Sequence, residues 1–333
     1  MIIYHPFNGY GGSQLMTKNL MEIFKKSSQN ENLFCIVGFG MEGFIKADKV
    51  LFDISNKYLR ILSLGILSFF LNFYFVFSNK KILGITFYSI HSLFLPSLFK
   101  PKNLTIYLHE IPSSKLPIAL LEFYSKRRIK IIYVSEYHKK QVGVSGDVIY
   151  NYVEKQEISN YKARANNRIV FVGSGNHKKG FDIFLDICEE FNDEKYTFDA
   201  YLNSCTESLK KRARTIGVSV NIGVKEKEEF FRNGGVLLQP SRAKETFNLV
   251  NLEAASFGIP VISFGQEITN EIFSDFNLNF DLENRKNFQE AILILERLMI
   301  DKVYYSRLSD NFKKQSERFS QIQFEEKVKN YIN

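Results

Sequence analysis

The order of apolar segments along the chain limits its fold more than any other feature. Short apolar runs of strand length alternate with segments of helical period, first over residues 1–151 and again over 168–264. Strands that alternate with helices form βαβ units, in which the strands are parallel and helices cover the sheet. A polar stretch of no clear period, 154–168, separates the two series. The pattern predicts an α/β protein of two tandem, Rossmann-like, doubly wound domains joined by a linker.

The boundaries predicted from this pattern are a first domain over 1–152, a linker over 153–167, a second domain over 168–318 and a closing segment over 319–333. Twelve strands are expected, at 1–5, 33–37, 49–54, 81–86, 104–109, 129–135, 147–151, 168–173, 196–202, 218–223, 235–240 and 259–264. Helices are expected near 13–26, 58–77, 114–127, 135–142, 178–191, 206–216, 225–232, 248–257, 285–299, 301–317 and 321–332. Ligands of such sheets bind at the carboxyl ends of the strands, so the cleft between the domains is the expected site.

The excess positive charge lies in the first half of the chain. Residues 1–150 contain 18 Lys and Arg against 9 Asp and Glu, whereas the remainder contains 26 against 27. A basic half beside a neutral half indicates a surface for a polyanion, either an anionic membrane leaflet or nucleic acid. Solvated charge without a partner is the alternative. Nucleic acid is not favoured, because no recognisable motif and no interleaving of aromatic and basic residues is present.

One uncharged segment, 61–79, is long enough to cross a bilayer, with Arg60 before it and Lys80 after it. Three interpretations remain open: a buried or half-buried crossover helix, a helix lying in the membrane interface, and a true span. The segment falls between two predicted strands, where a βαβ unit needs a helix. A crossover helix is therefore preferred, and a span would split the first sheet.

The cysteines and the N-terminus indicate a cytoplasmic protein. Cys35, Cys188 and Cys205 are far apart, and neither disulfide nor zinc-ligand spacing occurs. The N-terminus has no basic segment followed by an apolar one, so no signal peptide is predicted.

The loop FNGYGGSQ follows the first strand and begins a helix. Gly9, Gly11 and Gly12 allow close approach of a ligand to the backbone, and a helix N-terminus favours an anion. The spacing is not that of a dinucleotide site, and a tight βα turn alone would also explain the glycines.

The stretch RIVFVGSGNHKKG repeats this layout at the start of the second domain. The strand is expected to end at Gly173, and Lys178 and Lys179 precede the next helix. Two lysines beside a helix N-terminus suit a diphosphate. A solvated pair of surface lysines is the alternative.

In IYLHEIP, His109 and Glu110 stand at the carboxyl end of a predicted strand. A histidine there can orient a hydroxyl group or stabilise developing charge. A loop histidine without a functional role is equally compatible with the sequence.

The stretch ETFNLVNLEAASFGIPV predicts a helix from about 249 to 257. Asn248 is expected to cap it through its side-chain oxygen, and Gly258 and Pro260 are expected to end it. Glu245 then lies in the preceding loop, and Glu253 about one turn inside the helix.

Taken together, GGSQ, LHE, VSEYHKKQV with VIYNYV, FVGSGNHKKG and PSRAKETFNLVNLEAASFGIPVI resemble the retaining family-4 glycosyltransferases of the GT-B fold, of the bacterial surface-polysaccharide type. The resemblance covers nearly the whole chain and is most specific in the second domain. The closing ERFSQIQFEEKVKNYI resembles the family's last helix, which crosses back to the first domain.

The resemblance implies a role for particular residues. Glu245 would lie near the donor sugar, Glu253 would bind the ribose, and Lys179 would neutralise the leaving diphosphate. His109 would lie near the reacting centre, so the implied catalytic residues are His109, Glu245 and Lys179. The implied donor-binding residues are Gly11, Gly12, Gly173, Ser174, Lys178, Lys179, Glu245, Thr246, Phe247, Asn248, Leu249, Val250 and Glu253.

Two positions depart from the family pattern. Ser174 stands where the family often has arginine, and Lys178 is a candidate replacement for that charge. Asn248 stands where glycine is usual.

The resemblance implies transfer of a hexosyl unit from a nucleotide-diphosphate sugar, with retention and without a metal or other cofactor. With the basic first domain, it implies a lipid-linked saccharide acceptor and a peripheral position on the inner face of the plasma membrane. The alternatives are a catalytically silent nucleotide-sugar-binding subunit and a sugar-nucleotide epimerase of similar fold.

Overall fold

A computed structural model describes residues 1–26, 34–40, 43–52, 57–112, 114–154, 166–191, 194–223, 227–274, 278–281 and 285–332. The chain divides into two compact units. The first consists of Met1–Asn151 together with Phe324–Asn333, and the second of Tyr152–Gln323. Within the predicted linker, residues 155–165 lie outside the described part of the chain.

The first unit contains a parallel sheet of seven strands in the order β3-β2-β1-β4-β5-β6-β7. These strands are β1 (Ile2–Phe7), β2 (Phe34–Phe39), β3 (Lys49–Phe52), β4 (Ile82–Ile85), β5 (Leu104–Leu108), β6 (Lys130–Tyr133) and β7 (Asp147–Val148). Its helices are α1 (Gly12–Lys26), α2 (Lys57–Phe77), α3 (Phe94–Phe99), α4 (Lys115–Lys126) and α5 (Glu136–Val142). Strands β1, β4 and β5 are buried almost throughout, as expected for a sheet covered on both faces.

The second unit contains a parallel sheet of six strands in the order β10-β9-β8-β11-β12-β13. These are β8 (Arg168–Gly175), β9 (Thr197–Cys205), β10 (Ser219–Ile222), β11 (Val236–Gln239), β12 (Val261–Phe264) and β13 (Asn279–Phe280). Its helices are α6 (Phe181–Glu190), α7 (Glu207–Thr215), α8 (Lys227–Phe231), α9 (Leu249–Ser256), α10 (Glu267–Ile272), α11 (Arg285–Ile300) and α12 (Lys302–Ser316). The last helix, α13 (Gln321–Ile332), begins in this unit and belongs for most of its length to the first.

The predicted architecture of two parallel, doubly wound domains is confirmed by these two sheets. Each strand order reverses direction once, between β1 and β4 in the first sheet and between β8 and β11 in the second. Ligands of open α/β sheets bind outside the carboxyl ends of the strands at such a reversal. The loops that follow β1 and β4 in the first sheet, and β8 and β11 in the second, are therefore the places where a site is expected.

Helix α2 is the predicted crossover helix, since it connects β3 to β4. Its inner face packs on the sheet through Leu67, Leu71 and Phe75, and the Phe75 ring lies 5.7 Å from that of Tyr4. Ser68 and Asn72, which interrupt the apolar run, also point inward. Among the described residues, no helix is both long and apolar enough to span a bilayer.

Within the described ranges, three short α-helices and strands were not predicted from the sequence: α3, α10 and β13. Each has six residues or fewer, too few to establish a period. Helix α3 also follows a 3-10 segment, Phe87–Leu93, whose side chains do not repeat at the α-helical interval.

Candidate functional site

The loops after β8 and β11 are bound to each other in the second unit. The backbone N–H groups of Arg242 and Ala243 both donate to the carbonyl oxygen of Lys178, at 3.0 and 3.1 Å. Gly180 lies directly against Pro240 and has a φ of +72°, so any side chain there would be strained and would overlap the Pro240 carbonyl oxygen. This close approach places the lysine-rich loop beside the loop that carries Glu245.

Lys179 and Glu245, predicted separately, form an ion pair. The Lys179 Nζ lies 2.5 Å from the Glu245 Oε1, which also accepts a hydrogen bond from the Ser241 Oγ at 3.1 Å. The backbone N–H of Lys179 donates to Asn176 Oδ1, which fixes the turn that presents the lysine. Both charged side chains are partly exposed. A cation and an anion thus stand together at the carboxyl ends of neighbouring strands.

Gln266 holds the Glu245 loop and was not foreseen from the sequence. Its amide nitrogen donates to the carbonyl oxygens of Ser241 and Ala243, at 2.6 and 3.0 Å, and its amide oxygen accepts from the Glu245 N–H at 3.2 Å. The Gln266 backbone is in turn bound twice to the side chain of Asn279. The only sequence signal was a polar residue directly after a strand-ending glycine.

Arg242 makes a second link between the two loops. Its guanidinium donates to both carboxylate oxygens of Asp182 at 2.8 Å and to the His177 carbonyl oxygen at 2.7 Å. Burial alone would raise the pKa of Asp182. Hydrogen bonds from Arg242 and His177 outweigh the effect of burial and hold the pKa of Asp182 below its ordinary value. Arg242 and Asp182 are therefore both ionised at neutral pH and brace the loop.

Helix α9 begins where the sequence predicted, but Asn248 does not cap it as expected. Asn248 is left-handed, with φ 57° and ψ 66°, and its side chain makes no capping hydrogen bond. The expectation of a side-chain cap was therefore wrong, because a cap of that kind needs an extended residue. A left-handed residue instead turns the chain sharply into the helix, where glycine would serve equally well.

The helix ends as predicted, within one residue. Its last residue is Ser256, and Gly258 takes the left-handed conformation with φ 69°. Glu253 is buried inside the helix, and Phe247 is buried against Phe319, with ring centroids 5.7 Å apart. The Glu245 loop is thus anchored by Phe247 on one side and by the hydrogen bonds of Arg242 and Ala243 to Lys178 on the other.

The other donor-binding candidates take three different positions. Strand β8 extends to Gly175 instead of ending at Gly173, so Gly173 and Ser174 lie within it, beside an irregularity in its pairing with β9. Lys178 is exposed and anchors the loop through its carbonyl group. Thr246, Leu249 and Val250 are half-buried around the start of α9. Of the two lysines, only Lys179 has its ammonium placed against Glu245.

His109 belongs to a cluster of three buried histidines in the first unit. It stands just after β5, with its ring 4.5 Å from that of Tyr107. Burial, with the neighbouring His5 and His138, lowers the pKa of His109 to about 3. Burial likewise lowers the pKa of His5 to about 3 and that of His138 to about 4. All three imidazoles are neutral at physiological pH.

Glu110 lies within the same cluster. Its carbonyl oxygen is 3.0 Å from Nε2 of His138, and its Oε2 is buried with no hydrogen-bond partner in the described part of the chain. Burial raises the pKa of Glu110 to about 7, although hydrogen bonding to Ser13 opposes the shift. A neutral carboxylic acid can donate a hydrogen bond as well as accept one. The cluster can therefore offer hydrogen bonds to uncharged groups.

The glycine loop after β1 leads directly to this cluster. Gly12 is the first residue of α1, and the Gly11 carbonyl accepts from the Leu15 N–H at 2.9 Å. Ser13, the next residue, lies 3.4 Å from Nε2 of His5. The Asn8 side chain fixes the loop through two hydrogen bonds to the backbone of Ile45. Gly11, Gly12 and His109 thus share one edge of the first sheet.

Comparison with known proteins finds similarity to glycosyltransferases. Residues 166–296 match the family described as "Glycosyl transferases group 1". A Klebsiella pneumoniae protein described as an uncharacterized 41.2 kDa protein in the cps region is 30% identical over 175 residues, which is 52% of this chain and 46% of that protein. The O-antigen biosynthesis glycosyltransferase WclY of Escherichia coli is 34% identical over 89 residues, 26% of this chain and 25% of that protein. The chain spans less than half the length of these relatives.

Solved structures show that the fold is shared. HepE of Anabaena, solved with UDP and glucose, has a TM-score of 0.72 at 14% identity, covering 99% of this chain and 98% of that one. The lipopolysaccharide outer core galactosyltransferase WaaB has a TM-score of 0.70 at 19% identity, covering 99% of this chain and 98% of that one. WaaG, a glycosyltransferase involved in lipopolysaccharide biosynthesis, has a TM-score of 0.72 at 11% identity, and the match covers 100% of both chains. The family match over residues 166–296 and the O-antigen relative, together with this shared fold, confirm the predicted resemblance to glycosyltransferases.

Proposed function

Because residues 166–296 match the glycosyl transferases group 1 family, we propose that the chain is a retaining hexosyltransferase of bacterial surface-polysaccharide synthesis. It would transfer a hexosyl unit from a nucleotide-diphosphate sugar to a lipid-linked saccharide, in the synthesis of O-antigen, capsule or lipopolysaccharide. The observation that carries the proposal is the contact of Lys179 with Glu245 beside the N-terminus of α9. The solved complex of HepE with UDP and glucose supports a nucleotide sugar as donor.

In this proposal the second unit binds the donor and stabilises its leaving group. The first N–H groups of a helix have no partner within the helix and attract anions, so the α9 N-terminus would receive the diphosphate. Lys179 would leave Glu245 to pair with the diphosphate, and Glu253 would accept hydrogen bonds from the ribose. Charge is thus met by groups of the protein, and no metal is invoked.

The proposed transfer breaks the bond between the anomeric carbon and the diphosphate oxygen, and the electron pair leaves with the diphosphate. The acceptor oxygen forms its bond to the anomeric carbon on the same face. Its proton passes to the departing phosphate oxygen. Glu245 would position the donor sugar for this step.

The histidine cluster of the first unit would position hydroxyl groups. Neutral imidazoles and the protonated form of Glu110 match the donors and acceptors of a sugar, whereas a charge there would be costly to bury. His109 would therefore orient a hydroxyl group instead of supplying charge. The basic first unit supports an acceptor held at an anionic membrane surface.

A panel of radiolabelled nucleotide-diphosphate hexoses tests the proposal. We expect slow release of nucleoside diphosphate from one donor, and Lys179→Ala should lower this turnover by about 100-fold, as removal of one charge-stabilising group does elsewhere. Lys244→Ala is the matched control, because Lys244 is an exposed lysine of the same loop. Its turnover should remain unchanged, and both variants should keep the melting temperature of the parent.

The same panel separates the alternatives. A donor that raises the melting temperature without being turned over would indicate a silent binding subunit. Conversion of the sugar while it stays attached to the nucleotide would indicate an epimerase. Unchanged turnover in Lys179→Ala would overturn the role assigned to that lysine.

A further inference from the structure

Helix α2 carries apolar side chains on both of its faces. Its outward face, here called the aromatic face, consists of Ile66, Phe69, Phe70, Phe73, Tyr74 and Phe77. These positions recur every three or four residues, so they form one stripe along the helix, about 17 Å long at 1.5 Å per residue. Phe69 and Phe70 are 60% and 64% exposed, and Phe77 is 80% exposed. Large aromatic side chains in such a row are not explained by the core that the inner face builds.

The inner face holds the helix firmly in place. The Asn72 side chain donates to the His91 carbonyl oxygen at 2.7 Å and accepts from the Leu95 N–H at 2.7 Å. Ser68 and Ser92 are joined by a hydrogen bond of 3.2 Å. The aromatic face is therefore presented on a fixed support. Helix α3, which packs against α2, adds the exposed Phe99.

The stretch of chain that carries the aromatic face has basic residues but no acidic ones. No Asp or Glu occurs between Asp53 and Glu110, whereas Lys80, Lys81 and Lys100 follow the ends of the two helices. The Lys100 Nζ donates to the Ser78 carbonyl oxygen and to Asn79 Oδ1, at 3.0 and 3.1 Å, which places it at the end of α2. Protein interfaces commonly have mixed polar rims. An aromatic stripe with a basic edge is instead typical of helices that lie in the interface of an anionic bilayer.

We propose that the aromatic face of α2 inserts into the surface of an anionic phospholipid bilayer, with Lys80, Lys81 and Lys100 against the headgroups. The helix lies along the surface and does not cross it. The inference deepens the proposed function, since it specifies how the first unit reaches a lipid-linked acceptor. Binding of vesicles itself needs neither donor nor turnover, so the two proposals fail separately.

The absence of tryptophan from the sequence makes insertion directly measurable. Phe73→Trp places one fluorophore in the middle of the aromatic face. Val303→Trp is the control, because Val303 is an exposed apolar residue on α12 in the second unit. With vesicles of phosphatidylglycerol and phosphatidylcholine, the emission of Phe73→Trp should move to shorter wavelength and be quenched by brominated acyl chains. The Val303→Trp emission should not change, and no response from Phe73→Trp would refute insertion.

Loss of binding is tested with the double variant Phe70→Ser/Phe73→Ser. Its partition into the same vesicles should fall about tenfold or more, since two large apolar side chains are removed. The control, Leu293→Ser/Val303→Ser, alters two exposed positions of the second unit and should bind as the parent does. Circular dichroism checks the fold of both variants, and donor turnover in the Phe70/Phe73 variant should be retained.

Other results of these vesicle experiments would assign a different role to the aromatic face or to the lysines. If the parent is a dimer in light scattering, the double variant is a monomer and neither binds vesicles, the aromatic face is a contact between copies of the chain. If binding is equal on vesicles of phosphatidylcholine alone and does not weaken with salt, the assigned role of the lysines is wrong. Lys179→Ala should bind vesicles as the parent does, whatever its turnover.

Discussion

At the scale of single residues, the first unit places three histidines and one glutamate where burial disfavours their charged forms. His5, His109 and His138 are buried and have lowered pKa values, whereas Glu110 is partly buried and has a raised one. This suits the proposed transfer of a sugar, because neutral groups bind hydroxyls without the cost of burying charge. Glu110 has the pKa closest to the physiological range and is the most informative to change.

Glu110→Gln should alter how stability depends on pH. The pKa of Glu110 is about 7 in the folded protein against an ordinary value of 4.5. Between these values the folded protein keeps a proton that the unfolded chain has released, so this group lowers stability as pH rises. A glutamine amide does not titrate, so the variant should gain stability relative to the parent across this range, by at most about 3 kcal/mol.

Urea unfolding of both proteins at several pH values between 4 and 8 measures this difference. The histidines titrate in both proteins, so their contribution to the pH dependence of the free energy of unfolding largely cancels when the two proteins are compared. A free-energy difference that stays constant with pH would contradict the assignment of a neutral Glu110.

At the scale of elements, the entry into α9 depends on backbone conformation and not on a side-chain cap. The left-handed Asn248 leads to a prediction with matched variants. Asn248→Gly should keep the free energy of unfolding within about 0.5 kcal/mol, because glycine adopts this conformation readily. Asn248→Ser should lose about 1 kcal/mol, since serine caps well but disfavours a positive φ.

Chemical denaturation of the three proteins under one condition provides the measurement. Equal stability of the serine variant and the parent, with a loss in the glycine variant, would show that the side chain acts as a cap after all.

The helices and strands differ in how well they could be predicted from the sequence. Long elements such as α1, α2 and α11 were located within one or two residues, because their apolar period is sustained over several turns. Lys179 and Glu245 were selected as candidates from motifs that placed both at strand ends, and the two side chains are in contact. Their direct contact could not be predicted from the sequence, since it depends on the close packing of Gly180 against Pro240 and on the hydrogen bonds of Gln266 to the loop. The raised pKa of Glu110 could not be predicted either, because its surroundings come from distant segments that include Ser13 and Phe87.

At the scale of the whole molecule, the first unit is completed by the end of the chain. Phe324, Val328 and Ile332 of α13 are buried. The Tyr331 hydroxyl donates to Asp147 at 2.5 Å, and the Lys130 ammonium donates to the Tyr331 carbonyl oxygen. These contacts join α13 to β6 and β7.

Val328→Asp should therefore destabilise the first unit selectively. A charge at a fully buried position should cost about 3 kcal/mol or more, unless the helix detaches. Glu326→Ala, on the exposed side of the same helix, is the control and should change stability by less than about 0.5 kcal/mol. Hydrogen exchange read by peptide should show faster exchange in residues 104–151 than in 168–264. Equal acceleration in both segments would contradict a selective effect.

The return of the chain to its first unit also decides how the protein can be dissected. A gene fragment ending at residue 151 would encode a sheet without its last helix, so simple truncation cannot yield an intact first domain. Fusion of α13 to β1 can, because Ile2 and Ile332 both contact Lys81: the Lys81 carbonyl oxygen accepts a hydrogen bond from the Ile2 N–H at 2.7 Å, and the Lys81 ammonium lies 3.4 Å from the Ile332 carbonyl oxygen. A gene in which a short linker joins α13 to β1 would encode residues 324–332 and 1–151 as one continuous segment, suited to expression and isotope labelling of that domain alone.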